Sequence, residues 1–204
     1  MRMRRGIGDK VARSVLIVAA GLFAASATAV AQDTGPEWVS LTPEQAKIVF
    51  LAPGLKDLRV RYLRGDSEDH SYTVEFAFWS GTAAHHAKAV IQYAKLSPGY
   101  HYRARSDPKV FVESEESFED KELVFEKLRR NGNRLGVIES RRFHFDDVSC
   151  LGFASYWGES GSDTSSAGTE MLSGYYCADP GRPLTDALRK AVIGGLGIKG
   201  KAVP

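Results

Sequence analysis

The sequence predicts an α+β domain. The expected core is a mainly antiparallel sheet, a meander ending in a disulfide-tied C-terminal hairpin, packed by two or three helices over one face. Three observations carry this expectation. Period-two alternation runs on both sides of the polar loop 65–70, the pattern of a half-buried hairpin. Cys150 and Cys177 fall opposite each other when a second pair of strands is folded about its own polar loop. Leu184, Leu188, Ala191 and Val192 repeat at i, i+4, i+7 and i+8, one stripe of an amphipathic helix.

The chain begins as an export signal reads. Arg2, Arg4, Arg5, Lys10 and Arg13 precede an uncharged run over 14–32 that includes Ala29-Val30-Ala31. Basic start, apolar middle and small-residue ending are the three parts of a secretory signal peptide. Cleavage is expected after Ala31, leaving 32–204 as a single α+β domain. An uncleaved anchor is the alternative, since the run is 19 residues long and about 20 can span a bilayer. Its Ala, Gly and Ser content and the A-x-A ending favour removal. Arg4-Arg5 raises the twin-arginine route, but Gly6-Ile7-Gly8 lacks the usual apolar pair. No other segment is long and apolar enough to span, so the mature chain is expected to be soluble, in the periplasm or outside the cell.

Removal of 1–31 takes away five basic residues and one acid, so the formal charge turns from +2 to −2. A nucleic-acid partner needs a clearly basic face, and the charge of the mature chain gives it no support.

The elements follow in order. Leu41–Leu51 resembles a short helix, with Thr42 as N-cap and Pro43 at the first helical position. Leu58, Val60 and Tyr62 alternate with Arg59 and Arg61, and Tyr72, Val74, Phe76 and Phe78 with Thr73, Glu75 and Ala77. Thr82–Leu96 is ambiguous between helix and strand. Its alanines favour helix, while Val90, Ile91 and Tyr93 favour a strand from about Ala87. Pro98-Gly99 is a turn, Tyr100–Arg105 reads as extended, and Val110–Val112 as a short strand. Ser117–Arg130 reads as a helix, because acids crowd its start and Lys127, Arg129 and Arg130 its end. Leu135–Phe145 is a strand that turns at Asp146-Asp147.

The cysteine hairpin is expected to pair Val148–Trp157 with Thr169–Ala178 across a Gly/Ser-rich loop. Its register sets Cys150 against Cys177, Phe153 against Gly174, Gly152 against Tyr175 and Tyr156 against Met171. Large faces small twice, which suits cross-strand packing. An oxidising compartment favours the disulfide, and no basic partner points to either thiol as a nucleophile.

Chemistry has few signatures. His70, His85, His86, His101 and His144 show no metal-ligand spacing, so no metal and no cofactor are expected. The 158–162 stretch, GESGS, comes close to G-x-S-x-G and fails at its last position. Carboxylates at Glu113, Glu115, Glu116, Glu119, Asp120 and Glu122 read as a solvated helix start with Lys121 and Lys127 as partners. Glu159 and Asp163 could hold calcium, but their spacing is not that of an EF-hand.

The aromatics are the better lead. Trp79, Tyr100, Tyr102, Tyr156 and Trp157 flank turns, and Tyr and Trp are over-used at binding surfaces. They are the expected binding surface for an envelope protein or a glycan. The leading expectation is therefore a small exported, non-enzymatic binding or envelope-accessory domain. The alternatives are an exported hydrolase using Ser149 or Ser160 with a histidine, and a structural or assembly factor of the envelope.

Overall fold

The computed structural model describes residues 37–201 except 57, 68, 81–87 and 159–166. The leader 1–31, His85, His86, Ser160 and the Glu159/Asp163 pair lie outside the described residues, as does the start of the ambiguous Thr82–Leu96 segment.

The strands are β1 (Glu37–Leu41), β2 (Ile48–Phe50), β3 (Arg59–Asp66), β4 (Tyr72–Ser80), β5 (Ala89–Leu96), β6 (Val124–Phe125), β7 (Arg129–Asn133), β8 (Gly136–Phe145), β9 (Val148–Trp157), β10 (Glu170–Cys177) and β11 (Leu196–Ile198). The helices are α1 (Pro108–Glu113) and α2 (Asp186–Gly195), with a 3-10 turn at Glu116–Phe118. The main sheet is antiparallel throughout, in the order β1-β3-β4-β5-β10-β9-β8, with β6 and β7 both pairing along the far edge of β8. Two meanders, β3-β4-β5 and β8-β9-β10, are joined by the pairing of β5 with β10. A separate two-stranded sheet pairs β2 with β11.

This corrects the expected class. Of the described residues 49% are strand and 13% helical, a mostly antiparallel β fold with two short helices rather than α+β. The helices also lie on opposite faces of the sheet. Val192 and Ile193 of α2 join the core on one face, and Val112 of α1 the core on the other.

Four local expectations fail, three of them for identifiable reasons. Thr42 does accept from Gln45 N and Ala46 N, which closes one turn. The chain then straightens into β2, because the N–H groups of Lys47 and Ile48 donate to Glu75 Oε1 at 2.7 and 2.9 Å. Ser117–Arg130 is not a helix. Phe118 plugs into the core from the 3-10 turn, and Val124, Phe125 and the Arg129–Asn133 run pair with β8 instead. An open sheet edge that needed a partner outweighed a favourable charge order. Val110–Val112 is helical rather than extended. Asp107 caps α1 by accepting from Lys109 N, and Pro108 takes the first helical position. Tyr100–Arg105 is irregular rather than extended, with a bend at 103–104 and one bridge from Tyr102 to Gly168.

Other expectations hold. The β3–β4 hairpin forms, and its ladder runs on to Asp66↔Thr73. Thr82–Leu96 is strand from Ala89 onward, and both of its faces are covered there. The cysteine hairpin has the expected register at all four pairs, and Cys150 and Cys177 form a disulfide. Such a bond suggests an oxidising, exported compartment. Thr185 caps α2 by accepting from Leu188 N, and Gly194-Gly195 ends it. Among the described residues no helix is long and apolar enough to cross a membrane.

The first face of the sheet carries the larger core. Ile48, Phe50, Leu196 and Ile198 of the small sheet pack with α2 onto Ala77, Trp79, Ile91, Leu151, Phe153 and Leu172. Glu75, only 1% exposed, pins the small sheet down. Its Oε1 takes the two β2 N–H groups and its Oε2 takes Arg64 at 3.1 Å.

The second face is covered at one side only. α1 lies over β8, β9 and β10, close enough that a Cβ on Gly152 would sit 3.0 Å from Val112. Phe118 packs there against Phe143, Phe145 and Tyr175. On the β1-β3-β4 side, Trp38, Leu63, Phe76 and Phe78 are only half-buried.

Candidate binding surface

The structure separates most of the expected aromatic set. Trp79 is core, edge-on to Phe50 at 5.4 Å and to Tyr62 at 6.2 Å. Trp79 shares a cross-strand row with Ala89, Tyr176 and Leu151, whereas Trp157 shares one with Glu170, Lys95 and Thr73. Trp79 and Trp157 therefore stand at opposite ends of the sheet. Tyr102 and Tyr156 do meet, with ring centroids 5.5 Å apart, and Tyr156 Oη accepts from Ser106 N at 3.1 Å. Burial raises the Tyr102 phenol above its ordinary value. Tyr100 is 54% exposed and joins no aromatic cluster among the described residues.

The hydrolase candidates are partly brought together. Ser149 and His144 are directly opposed across β9 and β8, but no hydrogen bond links them among the described residues. The carboxylates of 113–122 are exposed apart from Glu115. Lys121 reaches Asp146 at 3.0 Å rather than a neighbour, and Glu113 pairs with Lys109 at 3.2 Å.

An arginine–aromatic surface on the second face was missed by the sequence reading. The alternations of β3 and β4 are out of phase. Val60 and Tyr62 pair with Trp79 and Ala77 towards the main core. Arg59 and Arg61 pair with Ser80 and Phe78 on the other side. The apolar residues of one strand thus lie beside the cations of the next. The Arg61 guanidinium carbon is 5.1 Å from the Phe78 ring centroid. Phe78 stacks on Phe76 at 5.7 Å, and Phe76 meets Trp38 edge-on at 5.6 Å. Arg59, Val60, Arg61, Phe78 and Ser80 line a shallow groove at one end of this row. The strand positions on this side are Trp38, Ser40, Arg59, Arg61, Leu63, Gly65, Tyr72, Val74, Phe76, Phe78 and Ser80, and no carboxylate is among them. The available signal was the phase of Arg59/Arg61 against Phe76/Phe78 once the hairpin register is set.

A second aromatic cluster lies on the first face. Tyr93 and Trp157 are nearly parallel, 9° apart, with centroids separated by 6.1 Å. Tyr93 Oη and Trp157 Nε1 both donate to Glu170 Oε2, at 2.7 and 3.0 Å. The Lys201 ammonium sits 3.8 Å from the Trp157 ring centroid, and that of Lys47 lies 5.8 Å from the Tyr93 centroid. Burial lowers the Lys201 amine below its ordinary value, with Glu170 opposing.

Among the described residues no three His, Cys, Asp or Glu side chains gather as a metal site would need. No known protein family, curated protein or solved structure matches this chain.

Proposed function

We propose that this chain is an exported, non-enzymatic binding domain, sent out by residues 1–31 and cleaved after Ala31, that takes an anionic glycan on the half-face around Arg61 and Phe78. The observation that carries the reading is the Trp38–Phe76–Phe78 row with Arg59 and Arg61 beside it. Flat half-exposed rings offer stacking surface to the C–H faces of a sugar. Arginine offers a planar fork to a carboxylate, sulfate or phosphate. Arg59 and Arg61 meet no carboxylate among the strand positions of that face, so an anionic partner completes their charge. The disulfide supports export.

Calorimetric titration of the oxidised mature protein with a uronic-acid oligosaccharide, and with a neutral one of equal length, tests this. The charged sugar alone should bind, and Arg61→Ala and Phe78→Ala should each weaken it by about tenfold or more, the scale of a central arginine or aromatic contact. Equal affinity for both sugars, or unchanged affinity in both variants, would refute it.

One observation favours a second reading. Ser149 faces His144 in register, so an exported hydrolase would place its nucleophile and base there. Turnover in an ester, peptide and glycoside screen that Ser149→Ala abolishes would establish that reading in place of the first.

A further inference from the structure

We propose that Trp157, Tyr93 and Glu170 form a seat for an organic ammonium ion, which Lys201 of the C-terminal tail occupies in cis. The chemistry of the seat is shown by its occupant. A cation 3.8 Å from an indole centroid lies well inside the range of cation–π attraction. Trp is the ring that attracts cations best. The rings are fixed before any ligand arrives. Tyr93 and Trp157 sit nearly parallel and donate to the same oxygen of Glu170. That oxygen holds the ring edges, which leaves the Trp157 face turned to the ammonium.

The surrounding charges favour a cation once the lysine leaves. Glu170 makes no ion pair within 4.0 Å among the described residues. Lys95 is opposite Glu170 in register but exposed, and Lys47 lies over Tyr93 rather than Trp157. Glu75 is already engaged with Arg64 and the β2 backbone. Displacing Lys201 therefore leaves the Trp157 face without a cation, beside a Glu170 carboxylate that makes no ion pair among the described residues.

The tail is built to release one side chain without undocking. Lys199 N donates to Lys47 O at 2.8 Å, and Lys199 Nζ donates to Glu44 O at 3.2 Å and also to Pro43 O. Gly200 then turns the chain with φ +77°. Lys201 reaches the seat beyond this anchor, so losing its ammonium leaves the Lys199 anchor and the β2–β11 pairing in place. The resident lysine competes at the effective concentration of a short tether, in the millimolar range. The wild-type chain should accordingly bind a free ammonium ion poorly.

The probe is tetramethylammonium chloride, titrated into oxidised protein and followed by the backbone amide resonances of residues 93, 157 and 170, which every variant keeps, with sodium chloride at matched ionic strength as control. Lys201→Ala and Lys201→Gln should each bind at least about tenfold more tightly than wild type. Adding Glu170→Gln or Trp157→Leu to Lys201→Ala should abolish that gain. Sodium chloride should reproduce none of it. The proposal is overturned if both Lys201 variants bind no more tightly than wild type, if Glu170→Gln and Trp157→Leu leave the gain intact, or if sodium produces the same shift.

Discussion

Glu115 makes the stability of this fold fall as pH rises through neutrality. Its side chain lies at the start of the 3-10 turn that drives Phe118 into the second-face core, beside Tyr175. Burial, and next the charge of Glu116, push its carboxyl up from an ordinary 4.5 to about 7. The folded chain therefore holds a proton between pH 4.5 and 7 that the unfolded chain has released. The stabilisation that Glu115 contributes is fully present below about 4.5 and is lost as pH rises through 7. A gap of about 2.5 pH units at roughly 1.36 kcal/mol each gives about 3 kcal/mol as the full span. Asp69, held down to about 2 by Ser71 and Ser67, and the lowered Asp107, Asp179 and Asp186 act at lower pH. Urea unfolding at pH 5, 6, 7 and 8 should show the wild type losing most of that span and Glu115→Gln staying nearly level. A flat wild-type profile, or an equal slope in Glu115→Gln, would refute the assignment.

Two further outcomes follow from the same packing. Replacing both cysteines by alanine opens a loop of 27-residue separation and should lower stability by roughly 3 kcal/mol on the chain-entropy argument, read by denaturant unfolding against the oxidised wild type. Glu75→Ala strands the N–H groups of Lys47 and Ile48 and leaves Arg64 without its carboxylate. It should cost about 3–5 kcal/mol, and amide exchange should quicken first in β2 and β11, with the β8–β9 ladder following later.

Much of the sheet was legible because its signals are local and mutually consistent. The cysteine hairpin was set by three constraints at once: a loop of fixed position, a large-against-small pattern at Phe153/Gly174 and Gly152/Tyr175, and the two thiols. Glycine at 174 is needed outright, since a Cβ there would lie 2.2 Å from Val90 O. The failures came where a distant partner decided the outcome. Nothing near residues 41–51 shows that the Glu75 carboxylate, 28 and 27 residues further on, takes the backbone donors of Lys47 and Ile48. Nothing within 117–130 shows that β8 has an edge to be filled by Val124, Phe125 and Arg129–Asn133. Trp79 and Trp157 both lie at the C-terminal ends of their strands, which made them look alike. Only the full register reveals that they stand at opposite ends of the sheet.

The candidate surface depends on that same distinction between pattern and partner. Read alone, β4 offers Tyr72, Val74, Phe76 and Phe78 as its buried side and Glu75 as its wet one. In the folded chain Glu75, Ala77 and Trp79 are buried while Phe76 and Phe78 remain half-covered. The reason lies in what is laid on each face. The small β2–β11 sheet and α2 cover the first face, whereas α1 is only six residues long and sits over β8 to β10. A helix that short leaves the β1-β3-β4 side to its own side chains, and β3 supplies Arg59 and Arg61 there beside Leu63. The out-of-phase hairpin thus places cations against aromatic rings on the one part of the second face that α1 leaves partly open. An apolar cover would leave the charges of Arg59 and Arg61 without a counterion, whereas an anionic partner supplies one.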